Sequence, residues 1–417
     1  MTTSLTSVPE HLRTDFDIYD PALTIPTDTV NDRVRALAEQ SPLVYSPRYG
    51  GHWIVTRYAE IHEVLRNPQT FSSHPNNLVP HGAGKFLPLE LDPPEHTAFR
   101  KALQPLFNPA RMRALEPRIR EIVNELIDGF AARGSAEYIS EFARELPARV
   151  FLALMDWPLD DAPMFTQATD TTLRGVPGGT EEEGNAAREA AAQQLFGYFA
   201  GVVADRRARG PEAADNSGDI TAKIVHQRIE LDGELRALTD EELCNMFFLL
   251  LIAGLHTVTG TLAWSVLHLA DRPDERQRLI DDPSLVPAAV EEMLRIEAAV
   301  SPGRRVRHDT TLGGVELKEG DQLLLVLAGA NRDGREFADP DVVRVDRTPN
   351  RHLSFGSGPH RCLGSHLARI EVQLVFEELH KRIPDYRIDP STPVVSHPSQ
   401  VRGVLELPIL FTPEVAQ

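Results

Sequence analysis

The stretch Phe355-Gly-Ser-Gly-Pro-His-Arg-Cys-Leu-Gly364 decides how this chain of 417 residues is interpreted. Cys362, one of only two cysteines, ends the glycine-rich loop and precedes Ser365–Arg382, whose pattern predicts a helix. Glycines permit tight turns and the close approach of a ligand, and a helix N-terminus favours a thiolate over a thiol. The loop therefore predicts a buried thiolate ready for a metal. His360 and His366 beside it would also suit zinc, although a fourth ligand and the usual spacings are missing.

Composition narrows the class of protein. Apolar residues make up 41% of the chain and charged residues 25%, as in ordinary globular proteins. The net charge of −18 argues against nucleic-acid binding. Cys244 and Cys362 lie far apart, which predicts no disulfide framework and a reducing compartment. Met1–Asp20 lacks an apolar signal region, and the longest apolar run, Met246–Leu255, is too short to span a bilayer. We therefore expect a soluble cytoplasmic protein without a membrane anchor.

The pattern of elements predicts a mainly α fold with small β-sheets. Length alone suggests roughly two to four domains, but no repeat or long linker divides the chain, so we expect one domain over residues 1–417 with an extended lead-in over the first 20. Thr239–Glu242 is a capping box that opens a helix of about 30 residues, or roughly 45 Å. That helix is apolar nearly all round and is expected to be buried. Phe71–Leu91 reads as a long irregular loop of the kind that is often functional. Strands are predicted within Leu43–Tyr45, His52–Thr56, Arg304–Leu327 and Val394–Phe411.

The cysteine loop resembles the haem-binding signature of the cytochrome P450 family. The matching residues are Phe355-x-x-Gly358-x-His360-x-Cys362-x-Gly364, and Leu367-Ala-Arg369-x-Glu371 continues the match. The resemblance implies the cytochrome P450 fold, with the long central helix lying over a haem b (iron protoporphyrin IX). It also implies that Cys362 is the thiolate ligand of the iron, which favours O–O cleavage.

A second motif of that family lies upstream. Glu292 and Arg295 are three residues apart and share a helix face. Taken alone, such a pair is most often a surface salt bridge of little consequence. The resemblance implies instead that the pair supports the haem pocket together with a third residue, Arg347, with Arg351 as the alternative.

Haem carries two propionates that need cations or donors. The resemblance assigns this role to His96, Arg100, Arg304 and His360. His96 and Arg100 are at i and i+4 and therefore share a helix face, although an ordinary solvated face would show the same spacing.

The central helix contains Ala253-Gly254-Leu255-His256-Thr257, which resembles the family's oxygen-binding segment. The resemblance implies that Ala253 and Gly254 leave room for O₂ and that Thr257 directs protonation, although a helical threonine more often bonds to its own carbonyls. His256 departs from the acid usual at this position. A neutral imidazole can shuttle protons, or His256 simply fills a polar niche, and the sequence leaves both readings open.

The resemblance also implies a substrate pocket, for which core packing is the alternative at every position. Its predicted apolar lining is Leu78, Phe86, Leu87, Leu173, Val176, Leu249, Ala253, Val300 and Val401. The predicted polar contacts are Asn76, Asn77, His81 and Lys85. A small or medium hydrophobic molecule such as a terpenoid, an aromatic compound or a steroid would suit this lining.

The function implied is a monooxygenase that hydroxylates or dealkylates a hydrophobic substrate with O₂. The chain shows no Rossmann fingerprint, flavin domain or iron–sulfur cysteines, so the electrons are expected from a separate ferredoxin and an NAD(P)H-dependent ferredoxin reductase. An arginine cluster is the predicted docking site, with pairing to local carboxylates as the alternative; its members are Arg111, Arg113, Arg118, Arg361 and Arg369. Because of His256, a peroxide-using or non-oxygenating haem-thiolate enzyme is the alternative function. A non-catalytic haem or ligand-binding protein is a remote one.

Overall fold

The computed structural model describes residues 2–23, 29–79, 85–176, 179–212 and 218–414. The α-helices are α1 (Thr29–Gln40), α2 (Tyr58–Arg66), α3 (Glu95–Leu103), α4 (Pro109–Arg113), α5 (Glu116–Asp128), α6 (Glu145–Met155), α7 (Ala162–Arg174), α8 (Glu181–Arg209), α9 (Ile220–Val225), α10 (Asp240–Ala270), α11 (Pro273–Asp281), α12 (Val286–Ile296), α13 (Leu327–Asn331) and α14 (Ser365–Arg382). The strands are β1 (Leu43–Ser46), β2 (His52–Val55), β3 (Phe71–Ser72), β4 (Ser135–Glu137), β5 (Arg228–Leu231), β6 (Glu234–Ala237), β7 (Gly303–Val306), β8 (Thr310–Leu312), β9 (Val315–Leu317), β10 (Gln322–Leu325), β11 (Arg387–Ile388), β12 (Val395–His397), β13 (Gly403–Glu406) and β14 (Pro408–Leu410).

Helix α10 runs through the larger hydrophobic core. Its predicted capping box forms, because the Glu242 N–H donates to Thr239 Oγ1 at 3.2 Å and the Thr239 N–H donates to Glu242 Oε2 at 2.8 Å. The helix packs against α6, α8, α14 and β13. Of the described residues, only this helix is long and apolar enough to cross a membrane, and 61% of its most apolar window is buried inside the protein. Its apolar surface is therefore largely used by the core.

A five-stranded sheet carries the smaller hydrophobic core. Its strand order is β1-β2-β10-β7-β3. Strand β10 runs parallel to β2, and pairs antiparallel with β7, where Leu323 lies opposite Arg304. The smaller core packs β-branched and aromatic residues of these strands against α1 and α2. The sheet thus fixes the position of Arg304 on β7.

Most predicted elements agree with the structure. The hairpin β5–β6 turns at Asp232 and Gly233, which have φ of 52° and 79°, as its Asp-Gly pair predicts. Strand β4, by contrast, lies between helices α5 and α6 outside every predicted strand, and it pairs with β14 near the other end of the chain. A strand of three residues whose partner is so distant has no local periodicity to reveal it. The expectation of a single domain stays a prediction.

Candidate functional site

The cysteine loop is fixed by its backbone. Gly358 has φ of +69°, and a Cβ built there would lie 2.5 Å from the carbonyl oxygen of Leu65. The Cys362 N–H donates to the Phe355 carbonyl at 2.8 Å, which closes the loop on itself. The guanidinium of Arg369 lies 4.4 Å from the centre of the Phe355 ring. Glycine is required at Gly358 for both conformation and space.

The surroundings of Cys362 correct one expectation. The side chain is accessible rather than buried, although protein surrounds it on other sides, as in the wall of a recess. Burial by these surroundings raises the pKa of the Cys362 thiol, and the opposing effects of the Gly364 N–H and of Arg100, Arg361 and Arg369 do not outweigh it. The Gly364 N–H at the start of α14 acts in the direction that the sequence predicts, since it lowers the pKa of the thiol, but burial has the larger effect.

Four polar side chains converge from distant parts of the chain. His96 on α3 and His360 in the loop have ring centres 3.9 Å apart. His360 Nε2 lies 2.9 Å from Ser73 Oγ. Arg100 donates to the Arg361 carbonyl at 2.8 Å, and buried Arg304 donates to the Gly303 carbonyl at 2.7 Å.

Several polar and charged groups of these four side chains have no hydrogen-bond or ion-pair partner in the described part of the chain. Burial, together with the charges of the two arginines, lowers the pKa of His96 to about 4 and that of His360 to about 2. Burial lowers the pKa of Arg304 to about 10. Among the described residues, neither Arg100 nor Arg304 forms an ion pair with a carboxylate, and His96 Nδ1 is buried without a hydrogen-bond partner. A cluster of this kind suits an anionic ligand.

The central helix has small residues on an accessible face. Ala253 is exposed and Gly254 and Thr257 are partly exposed, although α10 is buried over most of its length. These groups together fit the haem that the sequence implies. The Cys362 thiol can bind iron, Arg100 and Arg304 have no carboxylate partner among the described residues, and His96 Nδ1 has no hydrogen-bond partner there. The helix face at Ala253 is accessible. Zinc receives no support, since no group of three or more His, Cys, Asp or Glu side chains suited to a metal occurs in the described part of the chain.

The Glu292–Arg295 pair lies in a fully buried network. Arg295 donates to both carboxylate oxygens of Glu292 at 2.8 Å, and Arg347 Nε approaches the same oxygens at 3.1 and 3.0 Å. Arg351 is exposed and takes no part. Burial raises the pKa of Glu292, but hydrogen bonds and charge from Arg295, with further bonds from Arg344 and Arg347, hold that pKa below its usual value. The pair is therefore not a surface salt bridge.

Thr257 and His256 differ in their hydrogen bonds. Thr257 Oγ1 donates to the Ala253 carbonyl at 2.7 Å, which is the back-bond typical of a helical threonine. Nδ1 of His256 lies 3.9 Å from Asp170 Oδ1 on α7, and its Nε2 is buried without a partner in the described structure. Burial, with the charges of Arg174 and Arg144, lowers the pKa of His256 to about 3. His256 is thus neutral near pH 7.

The predicted pocket residues divide into two groups. Leu78 is 3% exposed and packs in the smaller core, so the core-packing alternative holds there. The other predicted lining residues are at least partly accessible: Phe86, Leu87, Leu173, Val176, Leu249, Ala253, Val300 and Val401. Val300 and Val401 form a β-bridge, and the ring of Phe86 stacks 5.9 Å from that of Phe248 on α10. His81 lies outside the described residues. Of the other predicted polar contacts, Asn76 faces Arg304 at 3.5 Å and Lys85 is exposed.

The predicted arginine cluster forms only in part. Burial lowers the pKa of His366, and Arg369, Arg361 and Arg113 lower it further, so these three lie near one another. Arg369 is paired with Glu291, Arg118 with Glu121, and Arg111 donates to the Gly218 carbonyl. For Arg118 and Arg369 the local-carboxylate alternative therefore holds.

Comparisons with known proteins agree with this geometry. The cytochrome P450 family model matches residues 180–383. Mycinamicin IV hydroxylase/epoxidase from Micromonospora griseorubida is 36% identical over 397 residues, which cover 92% of this chain and 96% of that protein. The crystal structure of cytochrome P450 CYP101C1 superposes with a TM-score of 0.86 at 29% identity and covers 98% of this chain and 100% of that one. CYP109E1 from Bacillus megaterium, solved in complex with testosterone, gives a TM-score of 0.80 at 29% identity, with 92% and 97% covered.

Proposed function

The chain belongs to the cytochrome P450 family of monooxygenases, and we propose that it hydroxylates or dealkylates a small to medium hydrophobic molecule with O₂ and electrons from a separate ferredoxin and NAD(P)H-dependent reductase. Two observations support this proposal: the thiol of Cys362 is accessible, and so is the small-residue face of the central helix at Ala253. We further propose that the cofactor is haem b and the protein cytoplasmic.

The residues proposed to hold the cofactor follow from their chemistry. Cys362 supplies the thiolate, and Phe355 and Gly364 border it in the loop. The guanidinium groups of Arg100 and Arg304 are matched to the propionates by charge, and neutral His96 and His360 add N–H donors. The network of Glu292, Arg295 and Arg347 keeps α12 and the segment before the loop in register. When bound, haem supplies the redox-active iron at which O₂ is activated.

The remaining roles belong to the central helix and the apolar residues beside it. Ala253 and Gly254 leave space next to the helix, and the Thr257 hydroxyl holds a proton that it now shares with the Ala253 carbonyl. Phe86, Leu249, Val300 and Val401 are proposed to exclude water and position the substrate. The proposed electron donor docks where Arg113 and Arg361 flank His366, since an acidic ferredoxin would complement that positive patch on an otherwise acidic protein.

A carbon monoxide difference spectrum of the reduced protein tests the ligand. We expect the Soret shift of a thiolate-ligated haem, and its loss in Cys362→Ser. A Cys362→Ser protein with an unchanged spectrum would overturn the assignment.

A binding screen by Soret shift tests the substrate class. Terpenoids, aromatic compounds and steroids form the panel, with testosterone included because a similar structure holds it. Compounds that shift the Soret band are then tested as substrates, either with a ferredoxin and reductase or with hydrogen peroxide alone, and product formation is measured. Efficient turnover only with peroxide would favour the alternative enzyme type.

A further inference from the structure

A solvent-accessible groove lies near His256 of the central helix and is bordered by several charged side chains. The groove has a volume of about 450 Å³ and lies between the start of α6 and helix α7. Its lining consists of Ser140, Arg144, Glu145, Pro163, Thr166, Gln167, Asp170, Thr171, Arg174 and Gly175. Asp170 is thus a carboxylate that borders this groove and also faces His256 on α10.

Asp170 stands at the centre of a small ionic cluster. Arg144 forms an ion pair with one of its carboxylate oxygens, and Arg174 lies 3.6 Å from the other. His256 Nδ1 approaches that second oxygen at 3.9 Å, which is too long for a direct hydrogen bond and short enough for a water bridge or a small rotation. His397 on β12 is the further titratable group whose charge acts on His256. We call Arg144, Asp170, Arg174 and His256 the open cluster.

Two buried atoms of the open cluster lack partners. His256 Nε2 and Arg144 Nε make no hydrogen bond within the described structure. An unsatisfied buried polar atom is costly and calls for an explanation, such as a transient partner or water. Only 12% of the His256 side chain is exposed, so a partner for Nε2 has to be internal. The next residue along the helix is Thr257.

We propose that Asp170 and His256 together form a proton route from the groove to Thr257, so that the carboxylate expected within the central helix is supplied instead by helix α7. This inference rests on the proposed monooxygenase function and adds Asp170 to it as a positioning and relay residue. A proton from groove water binds Asp170 and passes to His256 Nδ1, while the imidazole releases its Nε2 proton inward. The ring ends neutral, and rotation or tautomer exchange restores it for the next proton.

The electrostatics of the cluster suit such a relay. The two arginines keep Asp170 oriented, and with burial they keep His256 neutral near pH 7, so that the ring accepts one proton only as it gives up another. Successive helical residues point roughly 100° apart, so the transfer from His256 to Thr257 passes through water.

The first test measures coupling, the fraction of reducing equivalents that appear in product. Asp170→Asn keeps the shape and an oxygen acceptor for Arg144, and we expect coupling to fall by about tenfold or more, since a positioned proton-transfer group contributes on the order of 10²–10⁴-fold and water replaces part of it. Asp170→Glu should retain most of the coupling. Glu145→Gln is the matched control, because it removes a carboxylate from the same groove whose ion-pair contact is Arg149.

A rescue experiment separates relay from structure. The double variant Asp170→Asn, His256→Asp moves the acid into the central helix, and we expect it to recover coupling relative to Asp170→Asn alone. If Asp170 has only a structural role, the double variant should show no recovery of coupling relative to Asp170→Asn. Unchanged coupling in Asp170→Asn, or equal losses in Asp170→Asn and Glu145→Gln, would overturn the proposal.

A third readout needs no turnover. Histidine-selective NMR titration of the reduced, carbon monoxide-bound protein follows the pKa of His256. Arg174→Gln should raise that pKa by removing a positive charge, and adding Asp170→Asn should lower it again. If the second substitution leaves the His256 pKa unmoved, Asp170 does not act on His256. Because this titration is independent of monooxygenase activity, it distinguishes failure of the relay from failure of the proposed function.

Discussion

Two ionic clusters in this protein each pair a carboxylate with two arginines, but they differ in burial and in how completely their hydrogen bonds are satisfied. Glu292, Arg295 and Arg347, which we call the closed cluster, are 0%, 0% and 6% exposed, and every nitrogen and oxygen of their charged groups has a partner. In the open cluster the side chains of Arg144 and Arg174 are 30% and 26% exposed, and Nε atoms of Arg144 and His256 are without partners.

The difference shows what each cluster is suited for. Arg295 and Arg347 also donate to backbone carbonyls between residues 331 and 342, so the closed cluster binds α12 to the segment before the cysteine loop. A saturated network of this kind rigidifies a fold and has no free atom with which to exchange a proton. The open cluster has both a free atom and a solvent groove. We therefore expect substitutions in the closed cluster to change stability. Substitutions in the open cluster and at Thr257 should instead change the coupling of reductant to product.

Removing Arg295 should have the largest effect on stability. Arg295→Met leaves a buried carboxylate short of its bidentate partner, and breaking a buried pair in this way costs about 3–5 kcal/mol. Urea unfolding of the haem-loaded protein measures the loss. Arg118→Gln is the control, because its partner Glu121 is on the surface and such pairs contribute roughly 0–1 kcal/mol. Equal losses in the two variants would contradict the comparison.

Glu297 is another buried carboxylate that is held by cationic side chains, and its contribution to stability should depend on pH. Burial raises the pKa of Glu297, but Arg402, His268 and Arg332 outweigh it and lower the pKa to about 2. A depressed pKa contributes stability above the ordinary carboxyl pKa of about 4.3, and that contribution, about 3 kcal/mol, is lost as pH falls toward 2.

Glu297→Gln should therefore be less stable than the parent protein at pH 7, and the gap should narrow as pH falls below about 4.3. Urea midpoints of both proteins between pH 7 and pH 3 measure this convergence. A gap that stays constant with pH would show that the charge of Glu297 is not what stabilises the fold.

The backbone of the cysteine loop resembles the closed cluster in being tightly packed, so a substitution there should also reduce stability. Ala at position 358 would need φ of +69° and would meet the Leu65 carbonyl, so Gly358→Ala should cost about 2 kcal/mol. Thermal unfolding and haem content measure the effect. Gly201→Ala adds the same methyl group in α8, where nothing lies within 4 Å, and should stabilise by about 0.5–1 kcal/mol. A destabilised Gly201→Ala would show that the cost is not specific to the crowded loop.

The Glu292–Arg295 pair and the cysteine loop could be located in the sequence because their residues lie close together in it, but their roles came from the resemblance to the cytochrome P450 family. Glu292 and Arg295 share one helix face, and Cys362 lies in a contiguous motif with three glycines. The capping box likewise located the start of α10 correctly. Strand β4 needed tertiary pairing that no periodicity encodes, whereas Arg347 was already the third partner that the resemblance implied, with Arg351 as the alternative.

Asp170 could not be predicted, for a different reason. It is one of 61 acidic residues, and nothing beside it in sequence marks it as special. Only the packing of α7 on α6 and α8, which in turn contact α10, brings it near His256. The unusual residue at His256 was the available signal, since a relay position without its acid suggests that the acid comes from elsewhere.

Removing the Thr257 hydroxyl should change stability less than Arg295→Met, Glu297→Gln or Gly358→Ala does. Its hydroxyl donates to the Ala253 carbonyl, and a back-bond of this kind adds little to a helix, so Thr257→Val should change the free energy of unfolding by less than about 1 kcal/mol. Valine keeps the β-branched shape but has no proton to share. Coupling of reductant to product should therefore fall severalfold, while Thr257→Ser, which keeps the hydroxyl, should retain most of it. Two outcomes would contradict the division between residues that provide stability and residues that transfer protons. One is a Thr257→Val protein that unfolds as readily as Arg295→Met, and the other is a Thr257→Val protein that couples reductant to product as well as the parent.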